Sequence, residues 1–122
     1  MTKLSKKMQE AFDKMTLRFR EANDKSFEEW SVDSEWCGNA KYNGFMTYEQ
    51  KFQRQVERFG REEAERNAEH SRETYENARN GIVEGEWNTA TLRALEGRGY
   101  IEVLHIGGGK FQGFDKVRLL TI

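Results

Sequence analysis

The sequence predicts a mainly α-helical fold closed by a small C-terminal antiparallel β-hairpin, an α+β arrangement. Three observations carry this prediction. Apolar residues recur at three- and four-residue spacing through several segments of the first eighty positions, the signature of helices with one buried stripe. The chain of 122 residues contains no proline, the residue that most effectively breaks a helix. The stretch Trp87 to Ile122 reads as a short helix, a glycine stop, a strand, a glycine-rich turn and a second strand.

The first helix follows a cap at Ser5 or Thr2. Leu4, Met8, Ala11, Phe12, Met15 and Phe19 form its stripe, which Leu17 and Ala22 widen. Asn23-Asp24-Lys25-Ser26 marks a break. Residues 23–46 are the least regular, with Phe27, Trp30, Val32 and Trp36 as apolar anchors and Gly38-Asn39 and Asn43-Gly44 as turn signals. Trp30 and Trp36 are read as core pieces, the alternative being exposed platforms on which bases stack. Thr47 caps a second helix to Phe59, with Tyr48, Phe52, Val56 and Phe59 on one line. Gly60 weakens or ends it, since Gly costs about 1 kcal/mol relative to Ala inside a helix.

Arg61 to Arg79 resumes with helix formers but only a thin apolar seam of Ala64, Ala68, Tyr75 and Ala78 among many Glu and Arg residues. One reading is a solvated helix lying on the domain. The other makes Ala64, Ala68 and Tyr75 a contact line for a partner or for a second copy of the chain. Gly81 to Gly85 has the composition of a short strand. Asn88 is a good N-cap for Thr89 to Glu96, on which Leu92 and Leu95 share a face opposite Ala90 and Arg93. Tyr100 to Ile106 is rich in β-branched and aromatic types. After Gly107-Gly108-Gly109, the segment from Phe114 alternates, with Val117, Leu119 and Thr121 on one side and Lys116, Arg118 and Leu120 on the other.

The segment Thr91-Leu92-Arg93-Ala94-Leu95-Glu96-Gly97-Arg98-Gly99-Tyr100-Ile101-Glu102 resembles the T-L-x-A-L-x-x-R-G-[LY]-I-x stretch common in winged helix-turn-helix domains. The likeness covers about a third of the chain. It implies a winged-helix-like core of residues 1–22 and 81–122, with residues 23–80 as a helical insertion, all within a single domain. The leucine pair would dock the recognition helix on helix 1, and Gly81 to Gly85 would pair with the wing. One departure is plain: no second helix is visible between Gly81 and Trp87 to brace the recognition helix, so either the helix at 61–79 takes that role or the second helix is missing and 23–80 is an insertion. The resemblance implies that Asn88, Thr89, Ala90 and Arg93 face the major groove of double-stranded DNA. It places Lys110, Gln112 and Lys116 of the wing against backbone or minor groove. Lys6, Lys7, Lys14 and Arg18 would add phosphate contacts.

Charge is uneven along the chain. Residues 1–22 carry net +3 and residues 87–122 net +2, whereas residues 23–86 carry net −6. Positive ends around a negative insertion suit a DNA-facing module with a solvated or partner-facing insert. The overall pI of about 6.2 argues the other way, because DNA-binding domains often exceed about 9. A rival reading is therefore a protein-interaction module of the kind phages and mobile elements use to modulate a host protein, with the acidic insertion as its contact surface.

Other classes find little support. No apolar run approaches the ~20 residues that span a bilayer, so no membrane association is expected. MTKLSKKMQEAF lacks the apolar centre of a signal peptide. Cys37 is the single cysteine and cannot close an intrachain disulfide, which fits a cytoplasmic protein. His70 and His105 stand far apart, so no metal site is expected. Gly107-Gly108-Gly109-Lys110 lacks the Ser/Thr and following helix of a phosphate loop. Carboxylates are scattered, and no nucleophile motif appears. The expectation is a protein without catalytic activity or cofactor.

Overall fold

A computed structural model of the chain describes residues 4–33, 47–107 and 113–121. The described residues form five helices and three strands, in the order α1 (Lys6–Asp24), α2 (Phe27–Asp33), α3 (Tyr48–Phe59), α4 (Arg61–Arg79), β1 (Ile82–Gly85), α5 (Thr89–Gly97), β2 (Ile101–His105) and β3 (Asp115–Leu119). The fold is mainly helical with a small antiparallel sheet, as the sequence predicts. Among the described residues no helix is long and apolar enough to cross a membrane.

Helix boundaries follow local chemistry. Ser5 caps α1 by accepting a hydrogen bond from the Met8 amide, and Met8, Ala11, Met15 and Ala22 of the expected stripe are buried. Thr47 and Gln50 form a reciprocal capping box at the start of α3. Gly60, at φ 90°, stops α3 and lets α4 start one residue later in a new direction. Asn88 caps α5 by accepting from the amides of Ala90 and Thr91.

Helix α2 gives regular structure to part of residues 23–46, which the sequence marks as the least regular. Its signal was present. Ser26 Oγ accepts from the Glu29 amide, and the Glu29 carboxylate turns back to the Ser26 hydroxyl at 3.0 Å. This is the Ser-x-x-Glu pattern that starts helices. Trp36, Cys37 and the turn signals at Gly38-Asn39 and Asn43-Gly44 lie outside the described residues.

The sheet has strand order β1-β3-β2, antiparallel throughout. Val83 and Val103 both pair with Val117, and a bulge separates Val103 from His105. Asp115, Val117 and Leu119 point to the buried face, while Lys116 and Arg118 point outward. The outward face carries cross-strand ion pairs, Lys116–Glu84 at 3.6 Å and Arg118–Glu102 at 2.6 Å. The sheet edges are closed by side chains. Arg18 of α1 donates to the Glu84 carbonyl on β1, and Glu96 of α5 accepts from the Val103 amide on β2. Capped edges resist pairing with another chain.

Among the described residues one buried cluster joins helices and sheet. Met8, Ala11 and Met15 of α1 meet Leu92 and Leu95 of α5 and Val83, Ile101, Val117 and Leu119 of the sheet. Phe27 and Trp30 of α2 and Tyr75 and Ala78 of α4 belong to the same cluster. Helices α2 and α4 are thus built into the core rather than hung from it. Phe27, Trp30, Tyr48 and Tyr75 form an aromatic nest with ring centroids 5.4–6.3 Å apart. The Tyr75 hydroxyl donates to the Lys25 carbonyl at 2.6 Å, so its polar tip is satisfied inside the protein.

Candidate nucleic-acid interface

Helix α5 owes its position to two leucines. Leu92 and Leu95 are fully buried, and Phe12 of α1 meets Tyr100, just beyond α5, edge to face at 5.2 Å. Because one stripe of a nine-residue helix is docked this way, the opposite flank faces solvent. Thr89, Ala90 and Arg93 are all exposed there. Asn88 stands at the same end, but its side-chain oxygen is engaged by the Ala90 amide at 2.9 Å and the Thr91 amide at 3.3 Å.

Arg93 is tethered rather than loose. Its Nη1 lies 3.0 Å from Glu96 Oε1, while Glu96 Oε2 accepts from the Val103 amide at 2.9 Å. The bond from Val103, helped by Arg93, holds the Glu96 carboxyl below its usual range. A carboxyl depressed in the folded state stabilises the fold at pH values above its unfolded pKa. That contribution fades as pH falls through the ordinary carboxylate range and is gone below the folded value. Glu96→Gln is therefore expected to flatten the acid limb of the stability curve, with urea midpoints of parent and variant converging as pH is lowered. A variant curve parallel to the parent at every pH would contradict this.

An open cleft of about 300 Å³ lies between α1 and the start of α5, lined by Lys7, Glu10, Ala11, Lys14, Glu86, Trp87, Asn88 and Thr91. Lys7 and Lys14 therefore flank the amino-terminal end of α5, together with Glu10 and Glu86. Arg18 turns elsewhere: it donates to the Glu84 carbonyl and its guanidinium sits 5.5 Å from the Trp87 ring centroid. Lys116 does not join α5. It sits on the outward face of the sheet, paired with Glu84. Lys110 and Gln112 lie outside the described residues. The structure thus brings Lys7 and Lys14 to Asn88 at the start of α5 and sets Lys116 on the outward face of the sheet, while Thr89 and Arg93 are exposed on α5 outside the cleft lining.

The seam of Ala64, Ala68 and Tyr75 is turned largely inward. Ala64 is fully buried and Tyr75 nearly so, and half-buried Ala68 lines a small cavity with Tyr48 and Phe52. Gly60 turns the chain so that α3 packs along α4, while Phe27 and Trp30 of α2 lie on Tyr75.

Two residues that sequence reading missed organise the site. Asp115 is only 6% exposed. Its Oδ2 accepts from the Trp87 amide at 2.9 Å and its Oδ1 from the Gly107 amide at 2.8 Å. It thereby joins the entry of α5 to the neck of the β2–β3 hairpin. The neck is tight: a Cβ on Gly107 would overlap the Gly113 carbonyl, and one on Gly85 would stand 2.6 Å from the Trp87 indole. The second is Glu96. The alternation that turns Val117 and Leu119 inward extends by period two to Asp115, which was the available signal. Comparison with known protein families, curated proteins and solved structures gives no match to this chain.

Proposed function

We propose that this chain is a non-enzymatic regulatory protein of winged-helix type that binds double-stranded DNA through α5. The observation that supports it most is the division of α5 into a docked face, Leu92 and Leu95, and an exposed flank of Thr89, Ala90 and Arg93. Behind the helix lies an antiparallel ribbon of β2 and β3, with β1 paired to β3. Lys7 and Lys14 flank the helix on the α1 side. In this reading Arg93 reads a guanine edge with a bidentate pair, and the lysines neutralise phosphates.

The test is an electrophoretic shift with a random duplex pool at low salt, followed by selection of a preferred sequence. Arg93→Ala is expected to cost about 1–3 kcal/mol on the preferred sequence and little on other DNA. Lys7→Ala and Lys14→Ala are expected to weaken all duplexes alike, each lowering the salt slope by about 1. Absence of any shift at low salt overturns the reading, as does a full shift unaffected by all three substitutions.

A second reading, a protein-interaction module, draws on α3. No residue of α3 is buried, and Phe59 at its end is 53% exposed within the net-negative middle of the chain. A partner held there by apolar contact should stay bound as salt rises, whereas DNA binding should fall steeply. Sedimentation at two concentrations tests whether that partner is a second copy of this chain.

A further inference from the structure

No helix stands between β1 and α5, the place where a winged-helix domain has the helix that braces its groove-reading helix. Only Glu86-Trp87-Asn88 separates β1 from α5, yet α5 is held at both ends by carboxylates. At its entry, Asp115 on β3 takes the Trp87 amide with one oxygen and the Gly107 amide with the other. At its exit, Glu96 takes the Val103 amide of β2 with one oxygen and the Arg93 guanidinium with the other. The Val103 amide faces the outer edge of β2, where none of the described strands would satisfy it. All four carboxylate oxygens therefore have a donor, and each acid ties α5, or the loop that leads into it, to the sheet.

We propose that Asp115 and Glu96 are paired positioning residues that clamp α5 to the sheet at its two ends, replace the missing bracing helix and fix the direction in which Arg93 points. The mechanical part concerns α5 and the sheet alone. The part concerning Arg93 rests on the reading of α5 as the DNA-contacting helix. Amide variants discriminate sharply. Asparagine or glutamine keeps the shape but replaces one acceptor oxygen by an NH2 donor, which then faces an N–H instead of accepting from it. Asp115→Asn must release Trp87 or Gly107, and Glu96→Gln must release Val103 or Arg93.

The experiment is residue-resolved amide hydrogen exchange on the full chain, comparing the parent with Asp115→Asn, Glu96→Gln and the double variant. Amides of α5 are expected to exchange roughly tenfold faster or more in the variants, while those in the middle of α1 keep the parent rate. Unchanged α5 exchange overturns the clamp. Equal acceleration of every amide overturns it too, because the acids would then only add global stability. A DNA arm separates this from the functional reading. With a selected and a scrambled duplex, Glu96→Gln is expected to lose roughly tenfold in the ratio of the two affinities. Undiminished discrimination overturns the positioning of Arg93 while leaving DNA binding standing. A parent that binds neither duplex ends the DNA reading and with it the role of Glu96 toward Arg93, and the exchange rates still decide the clamp.

Discussion

Trp30→Ala is expected to remove about 3–5 kcal/mol of folding stability, read as a shift of the urea midpoint at constant slope. Trp30 is 1% exposed, 5.4 Å from Tyr75 and 6.3 Å from Phe27 by ring centroids. Its removal leaves a cavity between α2 and α4 that backbone relaxation cannot close, because both helices are also held by Phe27 and Tyr75. A domain of this size has a total stability of about 5–15 kcal/mol, so the variant should be largely unfolded in mild denaturant. The alternative role for this residue, a platform for stacking bases, requires the opposite pattern: near-normal stability and weakened binding. A loss below about 1 kcal/mol would show that the aromatic nest does not anchor residues 27–79 to the rest.

Leu92→Ala is expected to cost about 2–5 kcal/mol. Leu92 is fully buried in the cluster that includes Met8, Ala11 and Met15. The useful comparison is Leu120→Ala. Leu120 is 52% exposed, and surface changes usually stay within about 0.5 kcal/mol. The same chemical truncation should therefore differ several-fold in cost between the two sites. Equal costs would mean that α5 is not docked through its leucine face, and the exposed flank bearing Thr89 and Arg93 would lose its structural basis.

The parts of this fold that were legible in the sequence are those set by local pattern. Helix α1 runs from the cap at Ser5, and its apolar spacing names Met8, Ala11 and Met15 as core. Helix α5, the strands flanking the glycine turn and the inward side of β3 follow from capping, period and strand composition. Residues whose role depends on distant partners were not legible. Tyr75 looks like an isolated aromatic on a charged helix, and only the return of α2 and α3 along α4 makes it core. The line Tyr48, Phe52, Val56 and Phe59 has the spacing of a buried stripe, yet none of α3 is buried, because it packs at the margin of the cluster. Lys116 has the residue type for a phosphate contact, and its pairing with Glu84 depends on a strand partner 32 positions earlier in the chain. Asp115 meets the Trp87 amide across 28 positions, a separation at which spacing carries no information. In the candidate interface, the cap at Asn88 and the exposure of Thr89 and Arg93 follow from local pattern, the groove contacts come only from the winged-helix resemblance, and the tether on Arg93 follows from neither.

The most direct test of the account is an amide NMR titration of the full chain with duplex DNA at low salt. The account expects the largest shifts at Thr89, Ala90 and Arg93, accompanied by Lys7 and Lys14, with α3 and the buried face of the sheet unaffected and all shifts reversed by added salt. Shifts confined to α3 around Phe59, or a spectrum unchanged by saturating duplex, would contradict it.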